Sequence, residues 1–234
     1  GARRSGPGAV RYAPLVAEAA SALGNHLSVL GKMAEAEPIL FEASEQAVRG
    51  RDWTLETEAW IQIAGNFARL GRVPEGLLAA RTARLSAERA HGGDALRARL
   101  MNIDGFVNFN AMKLEEALQS FQQAAKFSSA SFGVNSSPFA NAVGNIGAAL
   151  YQLDRTREAL DYLERALRVR KAILRPDHVD ISYSLSPLGA AYLDLGMFSK
   201  GRELLIAALD IRRKEFGPEH PETTFSLGAL ARAE

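Results

Sequence analysis

Four histidines, His26, His91, His178 and His220, are the side chains best suited to bind a metal or relay a proton. No two of them stand at the i, i+4 spacing that brings imidazoles together on one helix face. His178 follows Arg175-Pro176-Asp177 as His220 follows Gly217-Pro218-Glu219, which points to one linker position used twice and so to a structural role at a turn. The chain has no cysteine, which removes thiolate catalysis, disulfide frameworks and thiolate metal sites. No glycine-rich phosphate loop precedes a lysine at the required spacing, and no Gly-x-Ser-x-Gly elbow occurs. The carboxylate pairs Glu115-Glu116, Asp161 with Glu164, and Glu219 with Glu222 are those of an ordinary solvated helix surface. The expectation is a chain that is not an enzyme, with no metal and no cofactor.

Charge narrows the partners. The 28 basic residues are balanced by 27 acidic ones, without the basic excess of a general nucleic-acid or acidic-membrane binder. Arg165, Arg168, Arg170, Lys171 and Arg175 crowd the end of one helical stretch, and Arg212, Arg213 and Lys214 the end of another. Cations there complement the helix macrodipole and solvate an outer face; a docking strip for an acidic partner is the sharper alternative. No interleaved aromatics accompany them, so no nucleic acid is expected. No apolar run approaches a membrane span of roughly 18–20 residues, so no membrane is expected and the location is read as cytoplasmic. The chain starts without methionine and stops inside a patterned segment, which reads as a piece of something longer.

The elements that must position any functional residue come from an internal repeat. The pairs Leu23-Gly24, Ile63-Ala64, Asp104-Gly105, Ile146-Gly147, Leu188-Gly189 and Leu230-Ala231 recur along the whole chain. Their period is about 42 residues, a little shorter in the first two intervals. Twelve residues after the second member stands Ala36, Gly76, Ala117, Ala159 or Gly201, and seven further on an alanine: Ala43, Ala83, Ala124, Ala166 or Ala208. Leu40, Ala80, Phe121, Leu163 and Leu205 fill the apolar position between. Each unit carries two helically spaced apolar stretches around a break such as Leu30-Gly31-Lys32 or Leu70-Gly71-Arg72. Glycine suits a helix C-terminus because it takes the left-handed conformation without a Cβ penalty. Small residues mark where the paired helices cross closely. No unit can bury its apolar face alone, so the units must stack. Helix pairs are predicted at 14–30 and 33–49, 53–70 and 73–90, 94–111 and 114–130, 138–153 and 156–174, and 179–195 and 198–215, with a lone helix at 222–233 acting as a lid. Residues 1–12 are expected to be flexible, Pro14 to sit in the first turn of the first helix, and Phe127–Ser137 to form the most loop-like interior segment. The units run about 13–52, 53–93, 94–136, 137–177 and 178–219.

These residues resemble the tetratricopeptide (TPR) repeat family. Its first-helix pattern appears as Trp60, Ile63-Ala64 and Phe67 and again as Leu188-Gly189 and Tyr192, and its second-helix pattern is the small–apolar–alanine series above. The period exceeds the family's usual length of about 34 residues and the closing proline is missing, which points to the kinesin-light-chain-like branch. Gly217-Pro218-Glu219-His220-Pro221-Glu222-Thr223 is similar to that branch's linker, and Arg175-Pro176-Asp177-His178 is a weaker copy. The resemblance implies an all-α, right-handed α-solenoid of five full repeats plus a terminal helix, from residue 13 to residue 234.

It also implies a site. In this family the first helix of each pair lines a concave groove. Carrying its contact positions across yields Asn25; Glu58, Gln62 and Arg69; Arg99, Asn102, Phe106, Phe109 and Asn110; Asn141, Asn145, Tyr151 and Gln152; Tyr183, Ser186 and Asp194; and Phe225. Amides can hold the backbone of an extended peptide whatever its side chains, and the aromatics supply flat apolar contact at low entropic cost. The lysines of the chaperone-binding carboxylate clamp are absent. The function expected is a non-catalytic scaffold that binds a peptide segment of a protein partner. The alternative is the regulatory or sensor part of a larger signalling enzyme such as a kinase, protease or nucleotide-dependent switch. Self-association through repeat ends is a further expectation.

Overall fold

The computed structural model describes residues 7–231, and side chains from Tyr12 onward. Among these residues there are eleven α-helices and no strand: α1 Pro7–Val29, α2 Met33–Gly50, α3 Trp53–Arg69, α4 Val73–Ala87, α5 Gly93–Asn110, α6 Leu114–Phe132, α7 Ser137–Gln152, α8 Thr156–Ile173, α9 Val179–Asp194, α10 Phe198–Phe216 and α11 Pro221–Ala231. The fold is the expected all-α run of repeated helix pairs. The odd-numbered helices are the first, or A, members and the even-numbered the second, or B, members. The chain forms two compact units, residues 1–113 and 114–234, divided in the turn between α5 and α6.

The small residues do what their spacing implies. Ala43, Ala83, Ala124, Ala166 and Ala208 are all buried, as are Leu40, Phe121, Leu163 and Leu205 between the small positions. A Cβ added at Gly147 would lie 2.7 Å from Leu163 Cγ and 3.2 Å from the Ala159 carbonyl oxygen. A larger residue there must push the helices apart. In the first unit α2 docks on α3 through Phe41, whose ring meets Trp60 edge-on at 5.7 Å between centroids. Arg72, at the start of α4, pairs with Glu37 of α2 at 2.7 Å.

Every A-to-B turn closes in the same way. The backbone N–H groups of Lys32, Arg72, Lys113, Arg155 and Met197 donate to the carbonyls of Leu27, Phe67, Asn108, Leu150 and Tyr192, at 2.9 Å in each case. This is the Schellman closure, which needs a left-handed residue just before that donor. Gly71 (φ +70) serves in one turn, whereas Met112 (φ +59) and Asp154 (φ +59) serve without glycine.

Two local expectations are corrected, those on Pro14 and on Phe127–Ser137. Helix α1 is already formed at Pro7, so residues 7–12 are helical, while residues 1–6 lie outside the described residues. Proline at a helix start costs nothing, and Pro7 takes that place. Pro14 therefore lies inside α1, its ring against Gly50, where a Cβ would come within 2.9 Å of Pro14 Cγ. The supposed loop at Phe127–Ser137 is helical as far as Phe132. Its serines bond back along the helix, as when Ser129 Oγ donates to the Lys126 carbonyl at 2.8 Å, and the break comes only at Gly133 (φ +80). Pro187 lies inside α9 without ending it.

Candidate functional site: the A-helix faces

In the first unit the A helices α1, α3 and α5 pack side by side, and their polar side chains reach across one repeat to each other. Gln62 Nε2 donates to Ser21 Oγ at 2.7 Å, and Asn66 Nδ2 to Ser28 Oγ at 2.7 Å. Arg99 pairs with Glu58. The Arg69 guanidinium lies 5.5 Å from the centroid of the Phe106 ring, a cation–π contact that holds both. Asn110 turns back to donate to the Phe106 carbonyl at 2.8 Å. Asn25 is exposed, and Asn102, Phe106 and Phe109 are half-buried. Phe106 also packs against the core cluster of this unit. The expected first-unit residues thus share one face, but most are engaged with a neighbouring helix.

The second unit shows the same habit. Tyr151 Oη donates to Asp194 Oδ2 at 2.6 Å, tying α7 to α9. Gln152 and Phe225 are exposed and Asn145 half-buried. Asn141 is held from beneath, its Oδ1 accepting from Arg170 at 2.5 Å. Ser186, expected to line the groove, is buried at 7% exposure. It sits beside Pro187 on the inward side of α9 and offers no surface to a partner.

The arginine cluster divides in two. Arg170 and Arg212, expected to solvate an outer face, are 5% and 2% exposed. Arg170 on α8 donates to Asn141 of α7 and to Ser184 of α9. One period later Arg212 on α10 donates to Ser182 of α9 at 3.0 Å and to Ser226 of α11 at 2.6 Å, and its Cζ lies 5.0 Å from the Tyr183 ring centroid. Each arginine therefore bolts a B helix to the A helix before it and the A helix after it. Burial lowers the pKa of both guanidinium groups, which stay charged at any ordinary pH. The signal was present as a matched pair, since Arg170 to Arg212 and Ser184 to Ser226 are each separated by one repeat period. Arg165 keeps a looser role, 4.9 Å from the Phe139 ring centroid.

The two linker histidines are caps. His178 Nδ1 accepts from the Asp180 backbone N–H at 3.1 Å, and His220 Nδ1 from that of Glu222 at 3.2 Å. They satisfy one orphan donor each at the starts of α9 and α11. His220 also stacks on Phe216 with centroids 4.3 Å apart, and Thr223 Oγ1 donates to the Gly217 carbonyl at 2.7 Å. The structural role read for both histidines is the one they play.

Among the described residues no group of three or more His, Asp or Glu is placed to hold a metal ion. No helix among them is long and apolar enough to cross a membrane.

This geometry has close counterparts. The structure is similar to that of BtubC (BKLC) from P. vanneervenii, at 23% sequence identity and a TM-score of 0.61 over 91% of this chain and 92% of that one. It is similar to a putative kinesin light chain from Podospora anserina with nearly identical TPR-like repeats, at 16% identity and a TM-score of 0.61 over 88% of this chain and 97% of that one. Aspartyl phosphate phosphatase F from Bacillus subtilis aligns at 14% identity with a TM-score of 0.66, over 96% of this chain and 60% of that one. At such identities the likeness is one of fold. No curated protein matches the sequence. The tetratricopeptide repeat family model matches residues 101–172, 138–199 and 180–234, which together span more than half the chain and run from within α5 through α11; the chain belongs to the tetratricopeptide repeat family.

Proposed function

We propose that this chain is a protein-interaction scaffold that acts by holding an extended segment of a partner against its A-helix faces, without catalysis. The observation that carries the reading is the cross-bonding of those faces. Gln62, Asn66, Arg99 and Tyr151 are each fixed by a residue of the adjacent A helix. Groups fixed in this way lose little further freedom when a partner arrives, so more of the contact energy appears as affinity. The exposed or half-buried Asn25, Asn102, Phe106, Asn145, Gln152 and Phe225 then supply amide donors, amide acceptors and flat apolar area.

Selection of binding peptides from a displayed random library tests this. The peptides recovered by the wild-type chain should lose affinity about tenfold for Asn145→Ala or Phe225→Ala, with the helical circular dichroism retained. Peptides that ignore both substitutions and instead lose affinity on Leu78→Ala, on the exposed side of a B helix, would place the interaction elsewhere.

A further inference from the structure

Helices α2 and α3 leave an open groove of about 390 Å³, lined by Ser44, Glu45, Val48 and Arg49 of α2 and by Glu56 and Trp60 of α3. Glu56 is its one buried ionisable group, with a side chain 8% exposed. The fold uses half of that carboxylate. Oε2 accepts from Ser86 Oγ at 2.7 Å and from Arg89 Nη2 at 2.8 Å, whereas Oε1 accepts from none of the described residues. The two tryptophans of the chain, Trp53 and Trp60, stand about one turn of α3 to either side of Glu56. On the Trp53 side Arg89 pairs with Glu56 while its Cζ lies 4.4 Å from the indole centroid. On the Trp60 side is the groove. Another repeat shows this opening to be particular to α2 and α3. Counted by the repeat, Ser44 and Glu56 correspond to Leu167 of α8 and Ile181 of α9, which are apolar and buried. Ser44 Oγ donates back to the Phe41 carbonyl at 2.9 Å and is no partner for Glu56. Helix α1 meets α2 elsewhere: Gly50, which lies against Pro14, stands two residues from Val48 and so about 200° around α2.

We propose that this groove receives an arginine side chain from a segment of a partner protein, which repeats on the Trp60 side what Arg89 does on the Trp53 side. A guanidinium has donors and no acceptor, which suits a groove whose buried polar atom is an unshared carboxylate oxygen. A charge-assisted hydrogen bond to a carboxylate so shielded from water is stronger than one at the surface. The aliphatic stem lies along Val48, and the planar head meets the indole of Trp60, the aromatic that best holds a cation. Lysine fits less well, being a compact and strongly hydrated charge without the fork. The chain's own Arg49 stays at the rim, 65% exposed and 3.8 Å from Glu45. Arg49 balances Glu45 as Arg89 balances Glu56, so recognition rests on contact inside the groove and not on long-range attraction. On α3, Glu56 and Trp60 stand two residues from Glu58 and Gln62, about 200° around the helix from the A-helix face. The groove therefore acts whether or not that face binds a peptide.

The test titrates the peptide acetyl-Ala-Ala-Arg-Ala-Ala-amide into the isotope-labelled full chain and follows the indole N–H resonance of Trp60. A saturable shift is expected with a Kd on the order of 1 mM, the scale of a single anchoring side chain. The same peptide with citrulline, equal in shape but uncharged, should bind about tenfold more weakly or worse, and so should guanidinium ion alone, which lacks the stem. Ser44→Leu gives α2 the residue that α8 carries and should close the groove, weakening the arginine peptide about tenfold or more with the helical circular dichroism retained. Glu56→Gln should weaken it by a similar factor. Ser44→Leu leaves the Glu56 carboxylate and its two partners in place, so it decides the matter if Glu56→Gln misfolds, and the citrulline comparison needs no variant. No saturable shift up to about 20 mM, equal binding of the citrulline peptide or of guanidinium ion, or undiminished binding to folded Ser44→Leu overturns the proposal.

Discussion

Asp104 stands where the other repeats carry leucine or isoleucine, and its environment records the mismatch. It is 5% exposed, with Arg84 Nε 3.5 Å from Oδ2. Burial raises its pKa from 3.8 to about 6, against a smaller opposing pull from Arg84. The folded chain therefore binds a proton between about pH 4 and pH 6 that the unfolded chain has already released. That binding favours the fold at low pH, and the stabilisation is lost as pH rises through 6. At pH 7.5 the ionised carboxylate stays buried at a cost on the order of 3 kcal/mol at most. Asp104→Asn should raise stability by about 1–3 kcal/mol at pH 7.5 and by much less at pH 4. Thermal melts at the two pH values measure this, and equal gains at both would disprove the account. The linker histidines belong to the same scale. His220→Ala removes the cap on α11 and its stacking on Phe216, and should cost about 1 kcal/mol in denaturant titrations.

Among the helices, turns and bolts make separable contributions. Met112 holds a left-handed conformation that other repeats give to glycine, and its side chain is 71% exposed, so little packing opposes a change. Met112→Gly should stabilise the chain by about 1 kcal/mol, and Gly71→Ala, at the equivalent turn, should destabilise it by a similar amount. The same denaturant series compares them, and like signs would refute the turn assignment. The buried arginines follow a different rule. Arg212→Ala leaves a cavity and strips a partner from Ser182, Ser226 and the nearby Glu222, and should cost about 2–4 kcal/mol. Arg212→Met keeps the volume without the buried charge and should recover most of that loss. A methionine variant as unstable as the alanine one would mean that the charge itself holds the stack. The bolts were not legible one residue at a time, because a basic residue in the last turn of a helix is usually solvated. What buried Arg212 was the rotation of its helix toward Ser182 and Ser226, 30 and 14 residues away along the chain.

Across the whole molecule, stability in a repeat chain is carried by neighbours. Ala166 is fully buried where α8 meets α7, beside Phe139 and Val143. Ala166→Phe should overpack that crossing and abolish slow hydrogen exchange in α7, α8 and α9, while amides of α3 and α4 keep their protection. Loss of protection in all of these helices alike would show one cooperative block in place of nearest-neighbour coupling. Within each compact unit the repeat pattern foretold which neighbouring helices pair, α1 with α2, α3 with α4, α7 with α8 and α9 with α10, and that small residues mark their crossings.

What the sequence determined by itself is the repeat length, the succession of helices, the small residues along it and a structural place for the linker histidines at their turns. All of these follow from local sterics and from a period that can be counted. What only the tertiary structure decided is how the polar side chains are used. Gln62, Arg99, Tyr151 and Asn141 look alike in sequence as groove residues, yet each is engaged by a particular neighbour, and Ser186 is buried outright. A hydrogen bond needs its partner within about 3 Å, and at separations of 29 to 43 residues that distance is set by the rotation and tilt of packed helices. Composition and spacing do not encode either.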